Sequence, residues 1–259
     1  MIERILTVGG FTLVSRLTGF VRDMVLAYFL GAGLANDAFV VAWRLPNHFR
    51  AIFAEGAFNA AFVPAYARIY AQQGGEAVRL FADRIFTLMV AVQAVLMAAA
   101  LAFMPFVVAL LAPGFTRDPG RFDLAVELTR ITFPSLMLMT LVTLYSGILN
   151  ARERFAAAAA APILLNLTMI ATLACAWLFP TVGHAAAWGV LLAGVLELAL
   201  VAGDAGFAGA IAWFRLPRLD DHIRRFFRAL GPAVVGSSGV PRNGLAASGS
   251  IRGCSARIH

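Results

Sequence analysis

Residues 85–112 read IFTLMVAVQAVLMAAALAFMPFVVALLA and contain no charged residue. A helix needs about 20 residues to cross the hydrocarbon core of a bilayer, which is about 30 Å thick. This run is therefore long enough to cross a membrane. The segment predicts that the chain is an integral membrane protein.

The composition of the whole chain agrees with that prediction. Of its 259 residues, 61% are hydrophobic and 14% are charged, whereas soluble domains are about 45–50% apolar and about 25% charged. All basic residues are arginine, and they give a net charge of +7. Because these arginines lie within and between the apolar runs, they indicate membrane topology and a buried site rather than nucleic-acid binding.

Further apolar runs predict an all-α, polytopic bundle of about six transmembrane helices. The predicted spans are 5–30, 36–63, 85–112, 131–151 (in a helix that begins near Phe122) and 155–196, which Pro180-Thr181-Val182-Gly183 divides into two crossings. Pro46 is expected to kink the second helix.

The arginines between the spans predict the orientation of the chain. With the N-terminus inside, the cytoplasmic segments hold Arg4, Arg68, Arg79, Arg84, Arg152, Arg154, Arg215, Arg218, Arg224, Arg225 and Arg228. The opposite side holds only Arg117 and Arg121. The positive-inside rule therefore places the N-terminus in the cytoplasm.

The chain changes character after the sixth predicted span, and we divide it into three regions. Residues 1–214 form the six-helix lobe. Residues 215–235 form a cytoplasmic amphipathic connector, with Ile223, Phe226, Phe227 and Leu230 on one face and arginines on the other, and the start of a seventh helix. Residues 236–259 are rich in Gly, Ser and Arg, and we expect disorder or frame-shifted sequence there.

The first two predicted helices carry charges that ordinary spans lack. The candidate substrate-binding residues are Arg16, Arg22, Asp37, Arg44, Arg50 and Glu55. Each arginine at bilayer depth costs about 2.5–3.5 kcal/mol, so four facing lipid would cost about 10 kcal/mol. We therefore expect them to face a protein interior or a wet cavity. Arginine matches phosphate with two parallel hydrogen bonds, which makes a diphosphate clamp the favoured interpretation.

Structural explanations for these charges stay open. Arg16 and Arg22 point about 120° apart on an ideal helix, and a bend at Gly19 would be needed to bring them together. Arg16 is near enough to the helix end to snorkel. The acids can form ion pairs with the arginines, including Arg16 with Asp23, or the arginines can serve helix association alone. Cys175 and Cys254 indicate neither a disulfide framework nor a zinc site, and we expect no metal and no cofactor.

Several motifs in the chain, taken in order, resemble one family. They are SRLTGFVRD at 15–23, GAGLANDAF at 31–39, LPN at 45–47, RAIFAEGAF at 50–58, AFVP at 61–64, APGF at 112–115, ITFP at 131–134, ILN at 148–150 and APILLN at 161–166. The chain is similar to the MurJ/MviN lipid II flippases of the multidrug/oligosaccharidyl-lipid/polysaccharide exporter superfamily over about residues 1–235.

This resemblance implies one lobe of a two-lobe flippase of the bacterial inner membrane. The substrate would be lipid II, the polyprenyl pyrophosphate-linked peptidoglycan precursor, moved to the outer leaflet by alternating access. Arg16, Arg22, Asp37 and Arg50 match the family's cavity charges, Glu55 falls in the same motif, and Arg44 is at a position that is basic in relatives. Family members continue into a second lobe, so we expect a truncated or frame-shifted, inactive flippase; a half-transporter that pairs with a partner is the alternative.

Other functions compete with this interpretation. An exporter of other lipid-linked polysaccharides or of drugs belongs to the same superfamily, but a drug exporter would favour acidic and aromatic cavity residues. A non-transporting membrane fragment is a second alternative. The sequence contains no nucleophile–base pair, metal-ligand cluster or nucleotide-binding glycine loop, so we do not expect an enzyme.

Overall fold

The computed structural model describes residues 2–52, 58–216 and 221–237, apart from the side chains of residues 2–8, 45, 48–52, 221 and 233–237. Its helices are α1 (Ile2–Leu30), α2 (Leu34–Ile52), α3 (Phe58–Ala102), α4 (Met104–Leu111), α5 (Pro119–Thr132), α6 (Ser135–Ala151), α7 (Ala156–Ala174), α8 (Val182–Phe207) and α9 (Asp221–Ser237). No strand occurs among these residues. The prediction of an all-α fold is confirmed.

Within the described residues, four helical segments are long and apolar enough to cross a membrane. They are Phe58–Ala102, Pro119–Ala151, Ala156–Ala174 and Val182–Phe207. They occupy the positions of the third to sixth predicted spans, and the charged α1 and α2 occupy the first two. The protein is therefore a polytopic membrane protein, and the span count agrees roughly with the predicted six.

One predicted span is interrupted in the structure, and another lies partly outside the described residues. Helix α2 is described as far as Ile52 and α3 from Phe58, so residues 53–57 of the predicted second span, 36–63, lie outside the described residues. The predicted third span, 85–112, is interrupted at Phe103. Pro105, in the first turn of α4, has no backbone N–H and cannot continue the hydrogen-bond pattern of the preceding helix.

Helix α3 contains a reversal at Gly74. The Phe62 and Phe81 rings stack with centroids 5.7 Å apart, whereas a continuous helix would place them about 28 Å apart. Gly74 has φ 84° and ψ −174°, a conformation that is essentially restricted to glycine. The two arms of α3 therefore form a helical hairpin, in a region that the sequence left as a cytoplasmic connection.

Gly74→Ala is expected to destabilise this hairpin by about 1–3 kcal/mol, because a Cβ is strained at that φ and ψ. The free energy of unfolding in mixed detergent micelles measures the effect. Gly75→Ala is the matched control, since its Cβ would meet only Tyr70 at 4.0 Å. Equal stability of the two variants would contradict the assigned reversal.

Helix α9 packs its apolar face on the hairpin of α3. Ile223 and Phe226 are buried, and the Phe226 ring lies edge-on to Phe58, with centroids 5.7 Å apart. Arg224, Arg225 and Arg228 are exposed. The amphipathic pattern was assigned to the membrane interface, but part of its apolar face contacts protein. Residues 238–259, most of the predicted aberrant tail, lie outside the described residues.

The two ends of the bundle are held by different contacts. At one end, Arg121 of α5 reaches Asp37 of α2 (Nη1–Oδ2 3.4 Å). At the other end, Asp83 is 2% exposed and accepts a hydrogen bond from the Trp213 backbone N–H at 2.8 Å. Arg154 pairs there with Asp204, and this hydrogen bond raises the pKa of Arg154.

Candidate functional site

A wide cavity of about 790 Å³ lies where α1, α3, α6 and α7 meet. Its polar lining groups are Thr12 and Ser15 from α1, Asn59 from α3 and Asn150 from α6. Its apolar wall is made by Val63, Pro64, Phe155, Ala158, Ala159 and Pro162. The cavity can therefore hold a partly polar molecule beside the charged first helix.

Arg22 lies between α1 and α7 and is held by two partners. Its Nε and Nη2 donate to one Asp23 oxygen at 3.0 and 2.7 Å, and Nη1 donates to Asn166 Oδ1 at 2.9 Å. The side chain is 18% exposed. Arg22 is eight residues, about 12 Å, from the end of α1 at Leu30. A guanidinium at this depth needs such partners, because water is scarce there.

Asn166 connects α7 to two turns of α1. In addition to the bond from Arg22, its Nδ2 donates to the Ser15 carbonyl and to Thr18 Oγ1, both at 3.1 Å. A Cβ at Gly19 would lie 3.4 Å from this amide nitrogen, so glycine leaves room for the close approach. No break interrupts helix α1 at Gly19, and Gly19 serves helix packing.

Arg16 lies on a different face of α1. It is exposed, as are the neighbouring Leu13 and Phe20 on the same stripe, and the helix packs mainly on α7. No carboxylate among the described residues pairs with Arg16, so Asp23 pairs with Arg22 instead of with Arg16. The structure places the guanidinium groups of Arg16 and Arg22 in different surroundings.

Of the remaining predicted site residues, only some have side chains that the structure describes. Asp37 pairs with Arg121 near the start of α2, and Arg44 lies exposed on the same helix. The side chain of Arg50 and the whole of Glu55 lie outside the described residues. The role of all six residues in substrate binding stays a prediction.

A second, smaller cavity of about 200 Å³ contains residues that the sequence analysis did not select. Asn59, Thr143, Ser146, Asn150 and Glu197 are its polar lining residues. A signal for it existed: Thr143, Ser146 and Asn150 are spaced i, i+3 and i+7, which places them on one face of α6. Asn166 was also missed as a partner of Arg22, although it ends the APILLN motif. Within the described ranges, no group of three His, Cys, Asp or Glu residues suits a metal ion.

Comparison with known proteins gives consistent results. Residues 26–240 match the family model described as lipid II flippase MurJ. The probable lipid II flippase MurJ of Rhizobium meliloti (strain 1021) is 42% identical over 240 residues, which cover 91% of this chain and 45% of the relative. The lipid II flippase MurJ of Burkholderia cenocepacia is 42% identical over 200 residues, covering 76% and 38% of the two chains.

Solved structures share the fold. A structure of lipid II flippase MurJ in the inward closed conformation superposes with a TM-score of 0.72 at 23% identity, covering 86% of this chain and 46% of that one. A MATE protein in complex with MaD5 gives 0.64 at 16% identity, covering 88% and 50%. At these identities the likeness concerns the fold alone.

The matched region fixes the family but not the extent of the protein. The chain spans less than half the length of the two flippases named above. The family model, in contrast, covers most of the chain. The chain belongs to the lipid II flippase MurJ family.

Proposed function

We propose that this chain supplies the N-terminal lobe of a flippase that carries lipid II across the bacterial inner membrane, with its N-terminus in the cytoplasm. The observation that carries the proposal is the presence of Arg16 and Arg22 in the middle of α1, in a chain that belongs to this family. Membrane helices keep such residues at a high cost, and the usual reason is a substrate or ion path. We propose a transport role and no enzymatic one.

Arg16 and Arg22 would have different roles. Arg22 is held by Asp23 and Asn166, so it acts as a fixed positive charge beside the path. Arg16 has no carboxylate partner among the described residues, and its guanidinium is available for a diphosphate. Charge-assisted, bidentate hydrogen bonds would replace the hydration of the head group while the polyprenyl tail stays in lipid. Asp37, Arg44, Arg50 and Glu55 would complete the charged surface.

Arg16→Ala is expected to weaken lipid II binding by about tenfold or more, because a hydrogen bond to a charged group contributes about 1.5–3 kcal/mol. The 259-residue chain in nanodiscs is titrated with fluorescent lipid II. Arg68→Ala, which removes an exposed arginine of α3, is the matched control and should bind as the unchanged chain does. Undecaprenol, which lacks the diphosphate, should not compete.

Competition by undecaprenol equal to that by lipid II, or equal losses in the Arg16 and Arg68 variants, would refute the diphosphate role. Transport is tested in liposomes that contain the chain together with the remaining segment of the Rhizobium meliloti relative. Transfer of labelled lipid II between leaflets should require both pieces and Arg16. Binding without transfer would identify a non-transporting fragment.

A further inference from the structure

Glu197 is a buried carboxylate well inside the long apolar helix α8. It is 2% exposed and lies 15 residues after the start of α8 at Val182 and ten before its end at Phe207. These spacings correspond to about 22 and 15 Å along the helix. An ionisable group at this depth is expensive and normally marks an ion or substrate site. Glu197 is not one of the residues proposed to bind lipid II.

The surroundings of Glu197 are polar although the helices around it are apolar. Along α8, Ala193 belongs to one apolar cluster and Val201 to another, and Glu197 stands midway between them. The small cavity at this junction adds Asn59, Thr143, Ser146 and Asn150. At about 200 Å³ it has room for an ion and several waters, since a water occupies about 30 Å³.

We propose that this cavity binds a monovalent alkali cation, such as Na⁺, with Glu197 as its charged ligand. Carboxylate, amide and hydroxyl oxygens are the ligands that hard cations prefer. Among the described residues that line the cavity, Glu197 alone is charged. A monovalent cation would neutralise it, whereas a divalent ion would leave an uncompensated positive charge in a medium of low dielectric constant.

The small cavity lies next to the wide cavity beside α1, with which it shares Asn59, Asn150, Ala158 and Pro162. In this proposal the cation enters from the wide cavity, and its ligands come from α3, α6 and α8. The site goes beyond the proposed lipid II function, because it needs neither lipid II nor a second lobe.

The proposal is tested by thermal unfolding of the 259-residue chain in detergent. Chloride and ionic strength are held constant while choline is replaced by Na⁺. Saturable Na⁺ binding should raise Tm by about 5 °C or more. Glu197→Gln should abolish this rise, and Asp123→Asn, which removes an exposed acid of α5, should retain it.

A milder variant keeps the proposal testable if Glu197→Gln does not fold. Ser146→Ala removes one neutral ligand and should raise the half-saturating Na⁺ concentration about tenfold. Equal Tm in choline and Na⁺, or a Na⁺ response unchanged in both variants, would overturn the site. A Tm that depends on pH but not on Na⁺ would also overturn it, in favour of proton binding.

Discussion

Replacing Asn166 with leucine is expected to lower the free energy of unfolding by about 3 kcal/mol. Leucine has the same number of side-chain heavy atoms in the same branched arrangement, so the change leaves no empty space. It removes the acceptor of the Arg22 Nη1–H and the donor to Ser15 and Thr18. A charged group that loses a buried hydrogen-bond partner costs more than the original bond contributed. Unfolding in mixed micelles, followed by circular dichroism, measures the loss.

The reason for this loss can be separated from a general weakening of α7. Thr168→Val is the control, because the Thr168 hydroxyl donates only to the Leu164 carbonyl of its own helix. Arg22→Leu combined with Asn166→Leu should recover much of the stability, since no unpaired charge remains. A double variant less stable than Asn166→Leu alone would show that the Arg22 contact is not the cause.

Replacing Gly189 with leucine is expected to destabilise the protein by about 3 kcal/mol, at the upper end of overpacking costs. A Cβ at this position would lie 2.3 Å from Thr172 Oγ1 and 3.4 Å from the Met169 Cα of α7. The nearby backbone cannot move aside without separating α7 from α8. Small residues at such contacts allow membrane helices to approach closely. The same unfolding measurement applies.

Two further variants identify the clash as the cause. Gly203→Leu is on the same helix, but its Cβ would have nothing within 4 Å, and its stability should change little. Gly189→Ala should be milder than leucine and should be rescued by Thr172→Ala, which removes the nearest atom. Equal losses in the Gly189 and Gly203 variants would exclude the close approach of α7 and α8.

The candidate site was predictable only in part. Residues 16 and 22 stood out because arginine is costly within a membrane helix, and this cost depends on residue type and position alone. The partners of Arg22 could not be predicted. Asn166 lies 144 residues after Arg22, and the spacing within α1 suggested Asp23 as the partner of Arg16 rather than of Arg22. Glu197 was overlooked because a single acid at the end of an uncharged run has no local pattern.

The sequence by itself determined the all-α class, the polytopic membrane character and the positions of the membrane arginines. Each of these follows from local quantities, namely hydropathy, charge and length. The tertiary structure alone decided that α3 turns back at Gly74, that Asn166 holds Arg22, and that the oxygens around Glu197 meet in one cavity. Packing between distant helices sets these features, because close approach and hydrogen bonding depend on surfaces that no local window of sequence contains.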